Sequence, residues 1–328
     1  MGWKGWLCYA LEARGAQSFM SVGLRCNYHR DYYLALPPAH PFPMSKYPLL
    51  FEKLLSSALL EPADVETPGE VATEDLALVH TRDYLEALTH GTLAPAAQRR
   101  LGLPWSERLW RRSRLAVQGT LNAARTAFEH GLAGNLAGGT HHAFADHGEG
   151  FCALNDTAVA IRVLQRDRRI RRALVVDLDV HQGNGTAAIF AGDESVFTFS
   201  MHGERNFPAT KMRSAIDVGL ADGIGDDDYL AELDRHLPAI LQSFDADIVF
   251  YLAGVDVVQG DRYGRLNLTD DGLRRRERAV IELVAAHRRK PLVITIAGGY
   301  AATAERTAAL HAIVFEEAAR YLAMRGSS

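Results

Sequence analysis

A chain of 328 residues, 48% hydrophobic and 23% charged, is globular in composition and has apolar material for one large α/β domain or two ordinary ones. Its net charge of −4, from 36 Lys+Arg against 40 Asp+Glu, gives no overall pull towards nucleic acid or an anionic membrane. The three cysteines (Cys8, Cys26, Cys152) make neither a disulfide framework nor a CxxC metal knuckle, and no apolar run is long enough for a secretory signal or a membrane span, so a cytoplasmic protein is expected.

Along the chain, residues 6–10 read as a short opening strand. Residues 28–47 hold Pro37, Pro38, Pro41 and Pro43 with His29, His40 and several aromatics; that mixture opposes regular structure and suits a long loop at the rim of a site. Helical periodicity runs over 47–60, 74–79 and 83–88. A long helix is predicted over 106–130, opened by Ser106 with Glu107 in its first turn and closed by Gly131. Its arginines, Arg108, Arg111, Arg112 and Arg114, read as a solvated face. Beyond it, strands are predicted over 132–137, 173–178, 195–200, 247–252 and 291–296, alternating with helices over 155–166, 185–190, 226–243, 269–287 and 303–323. Apolar strands alternating with amphipathic helices predict an α/β chain: a single open parallel sheet with helices on both faces. No linker, repeat or low-complexity tract divides it, so residues 1–328 are expected to form one domain.

In such sheets ligands bind beyond the carboxyl ends of the strands. The predicted strands here all end in chemically loaded residues. His141 and His142 come after the first, Asp179 and His181 after the second, Met201 and His202 after the third, Asp256 after the fourth and Tyr300 after the fifth. Carboxylates leaving a buried strand are costly unless something positive receives them. Two carboxylates and an imidazole suit a catalytic zinc that keeps a coordination position open, so Asp179, His181 and Asp256 are the expected ligands. His141 and His142 would move protons, and Tyr300 would donate a hydrogen bond to a developing oxyanion. Asp177 and Asn184 would orient the two histidines. Such a set performs metal-assisted hydrolysis of an amide.

The segments VHTRDYLEAL (79–88), GGTHHA (138–143), GEGFCALND (148–156), VDLDVHQGNG (176–185), AGVD (253–256) and AGGY (297–300) run in one order over nearly the whole chain, and together resemble the histone deacetylase family, of the arginase–deacetylase fold. HPFPMSKY (40–47) and GDRYGRLNLT (260–269) lean towards the class IV-like branch and its bacterial relatives. The resemblance implies zinc on Asp179, His181 and Asp256, general base and acid work mainly at His142, an electrostatic His141 held by Asp177, and Tyr300 as oxyanion donor. It also implies a potassium ion held by Asp177, backbone oxygens of Asp179 and His181, Ser200 and the Met201 backbone. Gly150, Phe151 and Phe207 match the walls of an acyl-lysine tunnel. Asn184 stands where some branches carry an aspartate, which gives His142 a neutral partner. Tyr263 stands where acetylpolyamine-specific relatives carry a glutamate. Residues 94–108 are expected to form a rim loop.

The activity expected is removal of an acyl group, acetyl or a longer fatty chain, from the lysine side chain of a protein or peptide. The alternatives are a small-molecule acetyl-amide deacetylase acting on acetylpolyamines, and a silent relative that binds acyl chains or a protein. A two-manganese ureohydrolase of the same fold would need further carboxylates, whereas here Asn184 comes after His181 and Val257-Val258 after Asp256.

Overall fold

The alternating apolar segments assemble into one parallel sheet in a computed structural model that describes residues 23–326; the strand expected over 6–10 lies outside the described residues. The strands are β1 (Cys26–Asn27), β2 (Val65–Glu66), β3 (Leu132–Asn135), β4 (Ala173–Asp177), β5 (Val196–Gly203), β6 (Ile216–Leu220), β7 (Ile248–Ala253) and β8 (Leu292–Ile296). Their order is β2-β1-β3-β8-β7-β4-β5-β6 and every neighbouring pair is parallel. The helices are α1 (Lys46–Ser56), α2 (Thr73–Leu76), α3 (Arg82–His90), α4 (Pro95–Leu101), α5 (Glu107–His130), α6 (Asp156–Arg166), α7 (Asn184–Ile189), α8 (Asp226–Ser243), α9 (Asp270–Ile281) and α10 (Ala304–Gly326).

Side chains alternate across a strand, so an all-apolar strand feeds two cores at once. On β4, Leu174 and Val176 join Leu50 of α1, Leu237 of α8 and Phe315 of α10, whereas Ala173 and Val175 join Val159 and Ile161 of α6 on the other face. All residues of β4, β7 and β8 are buried, as a sheet covered on both sides requires. The loop 297–303 then hands β8 over to α10, and Tyr300 lies at its middle.

Several features differ from the sequence reading, the unexpected two-residue strands β1 and β2 among them. Residues 95–101, expected as part of a rim loop, form α4 with Pro95 in its first turn, where proline's fixed φ favours a helix start. The edge strand β6 went unnoticed because only one of its residues, Leu220, is buried, and Asp217 and Gly219 dilute its pattern. Strand β5 continues through Met201 and His202, which therefore lie within the sheet, paired with Val218 and Gly219, and not after it. Arg112 is buried, not solvated: its Nε donates to the Tyr32 carbonyl at 2.8 Å and its guanidinium lies 4.8 Å from the centre of the Tyr47 ring.

Candidate active site

Four adjacent strands, β3, β8, β7 and β4, deliver the chemistry to one rim. His141 and His142 follow β3, Tyr300 follows β8, Asp256 follows β7, and Asp179 and His181 follow β4. Asp177 is the last residue of β4 itself. The sequence-predicted set is thus brought together, and all of these residues are buried, Tyr300 just so at 9% exposure.

Asp179, His181 and Asp256 each aim one ligand atom at a common point, the three atoms lying within 4.8 Å of one another. His181 Nδ1 is 2.9 Å from Asp179 Oδ1 and 3.2 Å from Asp256 Oδ2. Backbone amides fix the carboxylates from behind: Val180 N–H donates to Asp256 Oδ1 at 2.9 Å, and Gly298 N–H donates to Asp179 Oδ2 at 2.6 Å. Asp256 Oδ2 is buried, and the 3.2 Å approach of His181 Nδ1 lacks hydrogen-bond geometry, so the oxygen is one that a cation would satisfy. A side chain at residue 298 would run into Asp256 Oδ2, so only glycine lets the β8 loop close over the carboxylates. Electrostatics agree with a missing positive charge. Burial and the neighbouring Asp179 push Asp256 up to about 7, while burial, which would lower His181, is outweighed by the Asp179 and Asp256 carboxylates that lift it to about 10. Two carboxylates and an imidazole in a buried cradle fit a divalent cation of the zinc type.

The histidines differ in charge although they are neighbours. His141 Nδ1 is 2.6 Å from Asp177 Oδ2; burial opposes its protonation, but the Asp177 and Asp179 carboxylates lift it to about 9. His142 is held well below the ordinary imidazole range by burial and by the positive charges of His141 and His181. Its Nδ1 is 2.7 Å from Asn184 Oδ1. One imidazolium and one neutral imidazole side by side suit a fixed charge and a base.

Aromatic side chains enclose the approach. The Phe207 ring stands perpendicular to His142 at 4.9 Å, and Tyr263 lies edge-on to Tyr300 at 4.9 Å. Phe151 is 6.2 Å from Tyr300 and 5.3 Å from Phe42, and His40 approaches it at 5.7 Å, so the proline-rich loop does reach the rim. Gly150 and Phe151 sit at φ +54° and +67°; the left-handed turn is strained at Phe151 and is held where a Cβ on Gly150 would strike His142. These walls bound a cavity of about 410 Å³ whose mouth carries Arg99 and Arg100 of α4. A smaller cavity of about 40 Å³ shares His142, His181 and Tyr300 with it and continues among the buried Tyr47, Arg112 and Cys152.

Of the set expected around a monovalent cation, the side chains of Asp177 and Ser200 start from neighbouring strands. Asp177 and Ser200 are register partners on β4 and β5; Ser200 Oγ lies 2.9 Å from His202 Nδ1, and Asp177 Oδ1 accepts from the Asp179 amide at 3.2 Å.

Other residues matter that pattern alone did not single out. Glu149 accepts a hydrogen bond from Asn184 Nδ2 at 3.0 Å. Asp261 ties the two tyrosines together, its Oδ2 accepting from the Tyr300 amide at 2.6 Å and its Oδ1 from the Tyr263 amide at 2.8 Å. Lys46, fully buried, donates to the Ala297 carbonyl at 2.8 Å, just before the Gly298-Gly299-Tyr300 turn. Arg276 lies under the strand ends, donating to the Leu178 carbonyl at 3.0 Å and the Gly254 carbonyl at 2.7 Å. Glu149, Asp261 and Lys46 stood inside recognised motifs, yet their partners lie far away in sequence.

Residues 40–315 match the histone deacetylase domain family. The chain is 50% identical over 282 residues to an uncharacterized protein of Picosynechococcus sp., covering 85% of this chain and 93% of that one. It is 32% identical to histone deacetylase 2 of Arabidopsis thaliana, over 84% of this chain and 74% of the relative. The crystal structure of a histone deacetylase homologue from Aquifex aeolicus superposes with a TM-score of 0.76 at 25% identity, covering 92% of this chain and 84% of the other.

Proposed function

This chain belongs to the histone deacetylase family, and from that we propose that it is a zinc-dependent hydrolase that removes a short acyl group from the side-chain amide of acyl-lysine in a protein or peptide. The observation that carries the reading is the convergence of Asp179, His181 and Asp256, with Asp256 Oδ2 buried and holding no hydrogen bond of good geometry, beside one charged and one neutral histidine and a buried tyrosine. Zinc held by these three ligands supplies Lewis acidity to a water molecule and to the acyl carbonyl.

The chain's own groups do the rest. Phe151, Phe207 and Tyr263 line the approach and keep water from the lysine methylenes. His142, neutral and with Nδ1 turned to Asn184, takes the proton of the attacking water on Nε2. As the water oxygen bonds to the carbonyl carbon, the Tyr300 hydroxyl donates to the oxygen that gains charge. His141, cationic against Asp177, adds a fixed positive charge beside it. Collapse of that oxyanion breaks the C–N bond, and a histidine returns the proton to the lysine amine as it leaves. A potassium ion at Asp177, Ser200 and the carbonyls of Asp179, His181 and Met201 is part of the same reading, as is a single catalytic domain over residues 1–328. Every expected ligand, histidine and tyrosine is present in the rim, which disfavours a silent relative.

Two features narrow the substrate. The inner cavity of about 40 Å³ has room for the methyl of an acetyl group or a few waters, not for a myristoyl chain. Arg99 and Arg100 at the mouth make no ion pair among the described residues and oppose a polycationic acetylpolyamine. The test is hydrolysis of an acetyl-lysine peptide by the zinc-loaded protein. Activity should vanish on chelation, return with zinc, and be absent in D256N at any zinc concentration. A D256N protein that still turns over overturns the ligand assignment.

A further inference from the structure

Asn184 is the neutral member of the group around the two histidines, and an amide is ambiguous in a way a carboxylate is not. Turned one way it offers its oxygen to His142; turned the other it offers an N–H. The first orientation supports a proton on His142 Nδ1 and leaves Nε2 bare. The second supports the reverse, and the imidazole could then accept no proton at Nε2. Something must choose between them.

Glu149 is built to choose. Asn184 Oδ1 is 2.7 Å from His142 Nδ1, and Asn184 Nδ2 donates to Glu149 Oε2 at 3.0 Å. An ionised carboxylate only accepts hydrogen bonds, so it tolerates the Asn184 nitrogen and not its oxygen. The position of Glu149 is itself fixed: its amide donates to the Cys152 carbonyl at 3.1 Å and its carbonyl accepts from the Cys152 amide at 2.8 Å, closing the turn that carries Gly150 and Phe151. The side chain is half-buried in the wall of the larger cavity and makes no ion pair among the described residues, so it has no competing partner.

We propose that Glu149 is a positioning residue that locks the Asn184 amide and, through it, holds His142 in the Nδ1–H tautomer. The negative charge that an aspartate would bring directly against His142 is thereby kept one hydrogen bond away, and His142 keeps an acceptor without a charged neighbour. This rests on the reading of His142 as the base, but tautomer and turnover are measured separately.

The experiment is nitrogen NMR of the zinc-loaded, 15N-histidine protein, with the His142 signals assigned by their loss in H142Q, together with steady-state kinetics on the acetyl-lysine peptide. The wild type should show a protonated Nδ1 and a bare Nε2 on His142. E149A should lose that pattern and lower kcat about 10–100-fold with little change in KM, the size usual for groups that orient a functional histidine. E149Q/N184D gives His142 an acceptor-only partner directly, with no second carboxylate beside it, and should restore both the tautomer and most of kcat. Unchanged His142 signals in E149A overturn the proposal, as does failure of E149Q/N184D to recover the tautomer. A rise in KM with kcat and tautomer intact also overturns it, by putting Glu149 on the substrate. Should the protein cleave no acyl-lysine at all, the NMR arm still decides the tautomer while the proposed function falls.

Discussion

Tyr300 is a phenol whose hydroxyl has no hydrogen-bond partner among the described residues, although its ring is buried against Phe42, Phe151 and Tyr263. The residue lines both cavities, so its side chain borders open space. Burial and the Asp256 and Asp179 charges hold the phenol well above its ordinary range, so it stays a donor at any working pH. No side chain among the described residues competes for that hydrogen, so a substrate oxygen in the cavity can accept it. Y300F removes that one donor and keeps the ring, so kcat on an acetyl-lysine peptide should fall about 10²–10³-fold while KM and bound zinc barely change. Near-wild-type turnover would mean the oxyanion is held elsewhere. Asp261, which accepts from the backbone amides of both Tyr300 and Tyr263, ties the donor and the lip of the tunnel to the same turn.

The elements that carry the ligands are strand ends, and helix α9 keeps two of them in place. Its Arg276, fully buried, reaches the carbonyl ahead of Asp179 and the carbonyl two residues before Asp256, and pairs with Glu277 at 2.6 Å. Glu277 in turn accepts from the Tyr251 hydroxyl at 2.5 Å. Removing one member of such a network leaves the others buried and unpaired, so R276M should cost about 3–5 kcal/mol of stability, and R276M/E277Q less than R276M alone, because the stranded carboxylate is gone. Urea unfolding of the three proteins measures this; equal midpoints for the two variants would show that Glu277 is satisfied without Arg276. Arg276 also shows where sequence reading stops. Strands β4, β7 and β8 and helices α5, α6 and α8 were legible because apolar period and caps are local, as Ser106 and Asn155 accepting from the Leu109 and Ala158 amides illustrate. The candidate site was legible because His141, His142, Asp179, His181, Asp256 and Tyr300 fall at strand ends, and one sheet gathers strand ends. Arg112, Arg276 and Glu149 were not, since whether a charge is buried or solvated depends on partners that pattern does not bring together.

At the scale of the whole molecule, net charge says little and its distribution says more. The chain is slightly acidic, yet the cavity mouth carries Arg99 and Arg100, whose helix is joined to the tunnel wall by the Gly150 and Phe151 amides donating to the Arg100 and Leu101 carbonyls, at 3.3 and 2.8 Å. The α4 backbone that carries the arginines is therefore tied to the tunnel wall. Size and charge can be separated with one substrate series: acetyl-, octanoyl- and myristoyl-lysine in the same peptide, and acetylputrescine. Acetyl-lysine should have the highest kcat/KM, because the inner cavity of about 40 Å³ ends among buried side chains. Acetylputrescine should be poorest, and in R99E/R100E it should gain on the peptide, since reversing two exposed charges turns repulsion of its one ammonium into an exposed pair worth about 0.2–1 kcal/mol. That gain should shrink in high salt, where the Debye length falls to about 3 Å at 1 M. A myristoyl preference would instead require Tyr47, Phe42 and Cys152 to move apart when substrate binds, and would make the closed inner cavity one state of a wall that opens.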